Sequence, residues 1–186
     1  MDLGNARAWT RELWDRLPLE GGKVIDATVG NGYDTLYLAG KVGNTGRVYG
    51  FDVQKEAVAA TRSRLEEAGL SGRCRLILDS HENVDLYVSE PVDGVMFNLG
   101  WLPGTEHAVT THAESTLKAV GKCLVLLKKG GLMTICVYPG HPEGEREKNA
   151  LLDWARALDD SVFDARVTEY LNIGKRPPLL IAITRR

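Results

Sequence analysis

Apolar residues in this chain fall into two alternating rhythms. Short apolar runs give way to stretches in which apolar positions recur every three or four residues, the signatures of strand and amphipathic helix. The runs are 24–26, 47–52, 75–78, 92–98 and 132–138. Helical patterns cover 6–17, Asp34 onward, 54–68, 82–88, 110–127 and 144–158. In the first helix Trp9, Leu13, Trp14 and Leu17 share a face, with Arg7, Arg11 and Arg16 elsewhere. That face suits a helix lying across a sheet; an arginine face for a polyanion is the lesser reading. Gly69 closes the 54–68 helix, Glu90-Pro91 breaks the 82–88 helix, and Gly130-Gly131 stops the 110–127 helix. In the last helix Glu145, Arg146, Glu147 and Lys148 read as a solvated face. Two final runs, 165–172 and 179–184, are joined through Gly174 and Pro177-Pro178 and predict a hairpin. Strands alternating with helices predict an α/β fold, a mostly parallel sheet with helices on both faces. With no repeat, low-complexity tract or linker, residues 1–186 read as a single domain.

Ligands of such sheets bind at the carboxyl ends of the strands. That rule singles out 28–32, 52–54, 79–81, 98–104 and 138–143. The first tip lies within KVIDATVGNGYDTLY, from Lys23 to Tyr37. A strand ends in Asp26, Thr28 to Gly32 form a turn with Gly30, Asn31 and Gly32, and Asp34-Thr35 open a helix. Glycines let the backbone approach a ligand closely, and the helix N-terminus offers free N–H groups. Asp52, about 20 positions on at the next strand tip with Gln54 beside it, is placed to accept from two ribose hydroxyls. A purely structural strand-to-helix turn is the plainer alternative, but the correctly spaced Asp52 favours a nucleoside-type cofactor. The third glycine of a dinucleotide fingerprint does not arrive on schedule. Carboxylates at Asp26 and Asp34 would repel a pyrophosphate and suit a ligand with an ammonium and a sulfonium group, namely S-adenosylmethionine. D-x-x-x-G-x-G resembles the first motif of class I methyltransferases, and Asp52 resembles their second.

Bulk composition changes this picture little. The chain has 44% hydrophobic and 26% charged residues and a net charge of -2, so nothing pulls it globally toward nucleic acid or an anionic membrane. Any polynucleotide site would be a local basic patch. Cys74, Cys123 and Cys136 are far apart, form no C-x-x-C pair and read as buried reduced thiols. With no signal peptide and no apolar run of membrane-spanning length, the expected location is cytoplasmic. His81, His107, His112 and His141 lack ligand spacing, so no metal is expected.

The later tips carry candidate chemistry. Asp79-Ser80-His81 lies where adenine is contacted in such folds, with helix capping as the alternative. At Phe97-Asn98-Leu99-Gly100-Trp101-Leu102-Pro103-Gly104, an Asn ending a buried strand is costly unless its amide is used. Methyltransferases acting on exocyclic amines carry N-P-P-aromatic here. Their Asn oxygen and a backbone carbonyl accept from the target nitrogen while the ring stacks on the base. Asn98 and Trp101 match by type and spacing, though both prolines are replaced; an Asn-stabilised turn with a core Trp is the alternative. At Tyr138-Pro139-Gly140-His141-Pro142-Glu143-Gly144, His141 could accept a proton or orient substrate, and Glu143 could pair with a substrate ammonium. Equally, His141 could cap the next helix and Glu143 begin it.

Taken together, DATVGNGYDT, FDVQ, FNLGWLPG, Thr110-Thr111 with Ser115-Thr116, YPGHPEG with EKN after it, and PPLLIAI resemble one family in order. It is the small bacterial class I methyltransferases labelled putative rRNA methylases, whose characterised members methylate the aminomethyl group of 5-aminomethyl-(2-thio)uridine at the tRNA wobble position. The resemblance runs from about Gly22 to the C-terminus. Val29, Trp101 and Pro139 stand where Met, Tyr and His are expected; Trp keeps a stacking surface and loses a hydroxyl.

That resemblance implies a Rossmann-like, mostly parallel seven-stranded sheet with an antiparallel C-terminal strand. It implies S-adenosylmethionine as cofactor, held by Asp26, Thr28, Gly30, Asn31, Gly32, Asp34, Thr35, Asp52, Gln54, Ser80, His81 and Asn98. Asn98, Trp101 and His141 would be catalytic. Leu99, Gly100, Pro103, Gly104, Tyr138 and Glu143 would meet the substrate. The implied partner is a tRNA anticodon arm, held by candidates among Arg7, Arg11, Lys128, Lys129, Lys175, Arg176, Arg185 and Arg186. A homodimer is allowed and not required. Alternatives are an rRNA or small-molecule N-methyltransferase, a non-catalytic S-adenosylmethionine-binding protein and, third, an NAD-dependent oxidoreductase.

Overall fold

A computed structural model describes residues 3–100, 111–174 and 177–186. The chain runs α1 (Ala6–Asp15), β1 (Lys23–Asp26), α2 (Tyr33–Lys41), β2 (Arg47–Asp52), α3 (Lys55–Glu67), β3 (Cys74–Leu78), a 3-10 turn (His81–Leu86), β4 (Val92–Asn98), α4 (Ala113–Leu126), β5 (Leu127–Val137), α5 (Pro142–Arg156), β6 (Phe163–Thr168) and β7 (Leu179–Arg185). One seven-stranded sheet has the order β3-β2-β1-β4-β5-β7-β6. Pairings from β3 to β5 are parallel; β7 is antiparallel to both β5 and β6. This is the expected class I methyltransferase arrangement, with the strand order reversing beside β1.

Apolar residues on the two sheet faces sort the helices. Ile25, Phe51, Val95, Phe97 and Ile135 pack with Val120 and Cys123 of α4 and Leu151 of α5. Val24, Val48 and Met96 pack on the other face with Trp14 of α1, Leu38 of α2 and Leu65 of α3. Trp14 is fully buried and its indole N–H donates to Thr134 Oγ1 at 2.8 Å, satisfying the one polar atom it takes inside. Its ring lies where a Cβ on Gly94 would come within 2.6 Å, so the central strand carries no side chain there. The first helix therefore takes the core reading.

Two element bounds differ instructively. The 110–127 helix was expected to stop at Gly130-Gly131, with a strand from 132. Instead α4 ends at Leu126, and β5 begins at Leu127, runs through both glycines and pairs with β4 again at Leu132. The register shift between Val92 and Gly94 accommodates the extra residues, and Gly130 takes φ +74°. The edge strand β6 starts two residues earlier than expected and stops four residues earlier, at Thr168, where its pairing with Leu180 ends. An edge strand has one partner, so the ladder, and not its own composition, sets its length.

Candidate active site

The carboxyl ends of the parallel strands open on a cavity of about 1090 Å³, large enough for a cofactor-sized ligand. Thr28, Gly30, Asn31 and Asp34 line it from the first tip, and Asp52 and Gln54 from the second. Asp52 Oδ2 accepts from Gly30 N at 2.8 Å and Oδ1 from Gln54 N at 2.9 Å. Each carboxylate oxygen has a further lone pair, so a vicinal diol can still be received. Ala27, Phe51, Val53 and Leu99 supply apolar wall.

Asp26, Gly32 and Thr35 were expected among the cofactor ligands, and they do not line this cavity. They form the layer behind it. Asp26 is 1% exposed; its carboxylate accepts from Thr35 Oγ1 at 2.6 Å and Thr28 N at 3.2 Å. Burial, then the neighbouring Asp34 charge, pushes its pKa up to about 7. Gly32 has φ +78°, and a Cβ there would lie 2.5 Å from Thr61 Oγ1. Its lack of a side chain serves the packing of α2 on α3.

At the third tip the capping alternative is realised. Ser80 Oγ accepts from Glu82 N at 3.3 Å. Asp79 accepts from Asn83 Nδ2 at 3.0 Å and the Tyr87 hydroxyl at 2.8 Å, which hold it below the usual carboxylate range. Asp79, Ser80 and His81 nonetheless form cavity wall. His81 Nδ1 lies 3.1 Å from the Ala27 carbonyl, which can only accept, so Nδ1 carries the proton. Burial lowers the His81 pKa, keeping the imidazole neutral.

Asn98 is held through both its backbone and its side chain. Its backbone N donates to Thr28 Oγ1 at 2.7 Å, and Nδ2 donates to Asp34 Oδ2 at 3.2 Å. A carboxylate only accepts, so the amide turns its nitrogen to Asp34 and keeps Oδ1 for the cavity. Beyond it Leu99 is buried and Gly100 N donates to Thr111 Oγ1 at 3.1 Å. The Thr111 hydroxyl donates in turn to Glu147 Oε2 at 2.9 Å, and Thr116 Oγ1 donates to Oε1 at 2.6 Å. Glu147 is 2% exposed and burial raises its pKa. The solvated-face reading of Glu147 is thus corrected: it points inward, because two hydroxyls from α4 and its lead-in meet the carboxylate there. Trp101, Pro103 and Gly104 lie outside the described residues.

At the fifth tip Tyr138 lines the cavity with a half-buried ring, and burial raises its pKa. His141 and Glu143 do not line it. His141 caps α5, its Nδ1 accepting from Gly144 N at 3.1 Å, and it faces a second cavity of about 540 Å³ beside Arg146 and Asn149. Glu143 stands in the first turn of α5, 3.5 Å from His112 Nδ1 and 3.6 Å from Arg146. The capping alternative, not the proton-acceptor one, matches this placement.

Sequence reasoning did not place Arg7, Tyr33, Glu82, Thr111, His112, Glu114, Ser115 and Lys118 on the cavity, yet all line it. Tyr33, Thr111 and Ser115 stood in the shared family motifs without a role; Arg7, Glu82, His112, Glu114 and Lys118 lie outside those motifs and arrive through the fold. The resulting wall is acidic. Asp34, Asp52, Asp79, Glu82 and Glu114 face Arg7 and Lys118, and Lys118 is bridged to Glu114 at 2.9 Å and Glu82 at 3.6 Å. Such a wall attracts a cationic ligand and repels a pyrophosphate. Among the described residues, no group of three or more His, Cys, Asp or Glu side chains is arranged to hold a metal.

The family model described as "Putative rRNA methylase" matches residues 48–184. A relative from Arabidopsis thaliana, named tRNA (mnm(5)s(2)U34)-methyltransferase, chloroplastic, is 34% identical over 183 residues, 93% of this chain and 67% of that protein. The crystal structure of a putative rRNA-methylase from Clostridium thermocellum superposes with a TM-score of 0.97 at 38% identity, over 100% of both chains. A putative methyltransferase from Streptococcus mutans in complex with SAH superposes with a TM-score of 0.91 at 34% identity, again over 100% of both. Fold, acidic strand-tip cavity and sequence agree that this chain belongs to the family described as "Putative rRNA methylase" and is a class I methyltransferase.

Proposed function

We propose that the protein transfers a methyl group from S-adenosylmethionine to the aminomethyl nitrogen of 5-aminomethyl-(2-thio)uridine at the wobble position of tRNA. The observation that carries this is the Asn98 amide, held by Asp34 with its oxygen free for an amine. The residues fit the cofactor: Asp52 for the ribose diol, apolar Phe51 and Val53 for the base, an acidic wall for the ammonium and sulfonium. When bound, S-adenosylmethionine supplies an electrophilic methyl group. Asn98 Oδ1 accepts from the acceptor N–H and turns the nitrogen lone pair toward it, which is catalysis by orientation. Asp34 orients Asn98, and Gly100, tied to Thr111 and Glu147, fixes the loop that carries it. Trp101, three residues after Asn98, is the proposed stacking surface for the base. The substrate class rests on this chemistry and on the likeness to the Arabidopsis protein.

The acceptor amine must shed its proton before attack. His141 would reach it only from outside the main cavity, so release to water is the simpler route. To test the reading, protein and labelled S-adenosylmethionine are incubated with tRNA bearing 5-aminomethyluridine and with the same tRNA lacking the side chain. Methyl transfer to the first alone is expected. Equal transfer to both would remove the proposed substrate and leave the cofactor assignment intact.

A further inference from the structure

We infer that Arg11 is a positioning residue for methyl transfer, acting through Asp34 to keep the Asn98 oxygen turned into the cavity. The inference rests on the reading above, that this oxygen receives the acceptor amine. Arg11 lies on α1, outside the residues matched by the family model, and does not line the cavity. Its Nη2 donates to Asp34 Oδ1 at 2.7 Å, while Asp34 Oδ2 takes the Asn98 Nδ2–H at 3.2 Å. Both oxygens of one carboxylate are thus assigned, one to a cation and one to the amide.

Arg11 is itself fixed. Its guanidinium carbon sits 3.5 Å from the centre of the Tyr37 ring, and the Tyr37 hydroxyl donates to Asp15 Oδ1 at 2.7 Å. Stacking holds the guanidinium plane, so it directs one donor at Asp34 and stops the carboxylate from turning. The consequence falls on Asn98. A primary amide presents an acceptor at one end and donors at the other, and only its partner decides which end faces the cavity. A carboxylate free to rotate would hold Nδ2 loosely. With the amide reversed, an acceptor amine would meet N–H groups, which cannot accept from it or direct its lone pair.

The test combines a structural readout with kinetics. Side-chain amide spectra of 15N-labelled protein are recorded, the Asn98 pair being the one lost in Asn98→Asp. Arg11→Met keeps an apolar stem on Tyr37 and removes the charge; Arg11→Lys restores a cation; Arg11→Gln is the alternative if Arg11→Met does not fold. The parent and Arg11→Lys should show a shifted, sharp Asn98 Nδ2 proton, and Arg11→Met a broadened or unshifted one. On tRNA bearing 5-aminomethyluridine, kcat should fall roughly 10- to 100-fold in Arg11→Met and recover substantially in Arg11→Lys. Unchanged Asn98 signals in Arg11→Met overturn the inference whatever the substrate, as do altered signals with the parental kcat. If the parent itself is inactive on this tRNA while Arg11→Met still disturbs Asn98, the positioning stands and the substrate reading falls.

Discussion

Asn98 and Asp26 are both polar side chains at the ends of buried strands, but they do different work. Asn98 has a cavity on one side and a fixed carboxylate on the other, so Asn98→Ala should remove orientation and little else. We expect kcat to drop by about 100-fold or more while the thermal shift with S-adenosylhomocysteine stays near that of the parent. Loss of that shift together with the fold would return Asn98 to a structural role. Asp26 faces inward. An unfolded carboxyl ionises near 3.8, whereas in the fold burial moves it to about 7. Between those values the folded chain holds a proton that the unfolded chain has released, so stability falls as pH rises through the window. Asp26→Asn removes this titration, and its amide can still accept from Thr28 N and donate to Thr35 Oγ1. Urea unfolding should show the variant gaining on the parent between about pH 4 and about pH 8, by at most ~4 kcal/mol. Parallel pH profiles would show that Asp26 does not titrate this way. The pattern D-x-x-x-G-x-G could not separate Asp26 from Thr28 or Gly30, because framing residues and contacting residues are equally part of a turn's spacing.

Among the elements, strands and helices were legible because each has a periodicity that burial enforces. What the periodicity could not carry was their joinery. Glu147 sits in a run of charges that a helix normally shows to water, and only the approach of Thr111 and Thr116 turns it into a buried acceptor. Those threonines lie 36 and 31 residues away in sequence, beyond any local pattern. Their hydroxyls would be left unsatisfied in Glu147→Ala, which should cost about 2 kcal/mol in urea unfolding. The same variant frees Thr111 from its anchor and loosens Gly100, so kcat should fall while the melting shift with S-adenosylhomocysteine persists. Glu147→Gln, which keeps an acceptor oxygen, should lose less of both. A Glu147→Ala protein with parental kcat would confine the contact to stability. His141 is the converse case: the irregular loop around it looked functional, and its Nδ1 is spent on capping α5.

At the scale of the whole molecule, topology decides which cations would meet the proposed RNA substrate at the strand tips. Lys128 and Lys129 open β5, at the amino end of the parallel strands, and Arg185 pairs with Phe163 at that same end. Lys128 is also bridged to Asp93 at 2.8 Å, Arg186 to Asp164, and Arg11 to Asp34. Lys175 and Arg176 lie outside the described residues. Of the eight sequence candidates, that leaves Arg7, which is exposed and lines the cavity. Arg146, missing from those candidates, joins it as an exposed residue on the first turns of α5, beside the second cavity and with a longer, 3.6 Å contact to Glu143. In a chain of net charge -2, phosphate contacts of this kind are local. Each phosphate contact contributes about 0.7 to the slope of log affinity against log salt for single-stranded nucleic acid. Arg7→Glu and Arg146→Glu should each raise the KM for tRNA several-fold and flatten that slope by about one contact's worth, and Arg146→Glu should leave the S-adenosylhomocysteine shift unchanged. Lys129→Glu and Arg186→Glu remove the same charge from the far end and should do neither. If the far-end pair weakens tRNA binding as much as the near-end pair, the anticodon arm does not approach through the strand tips.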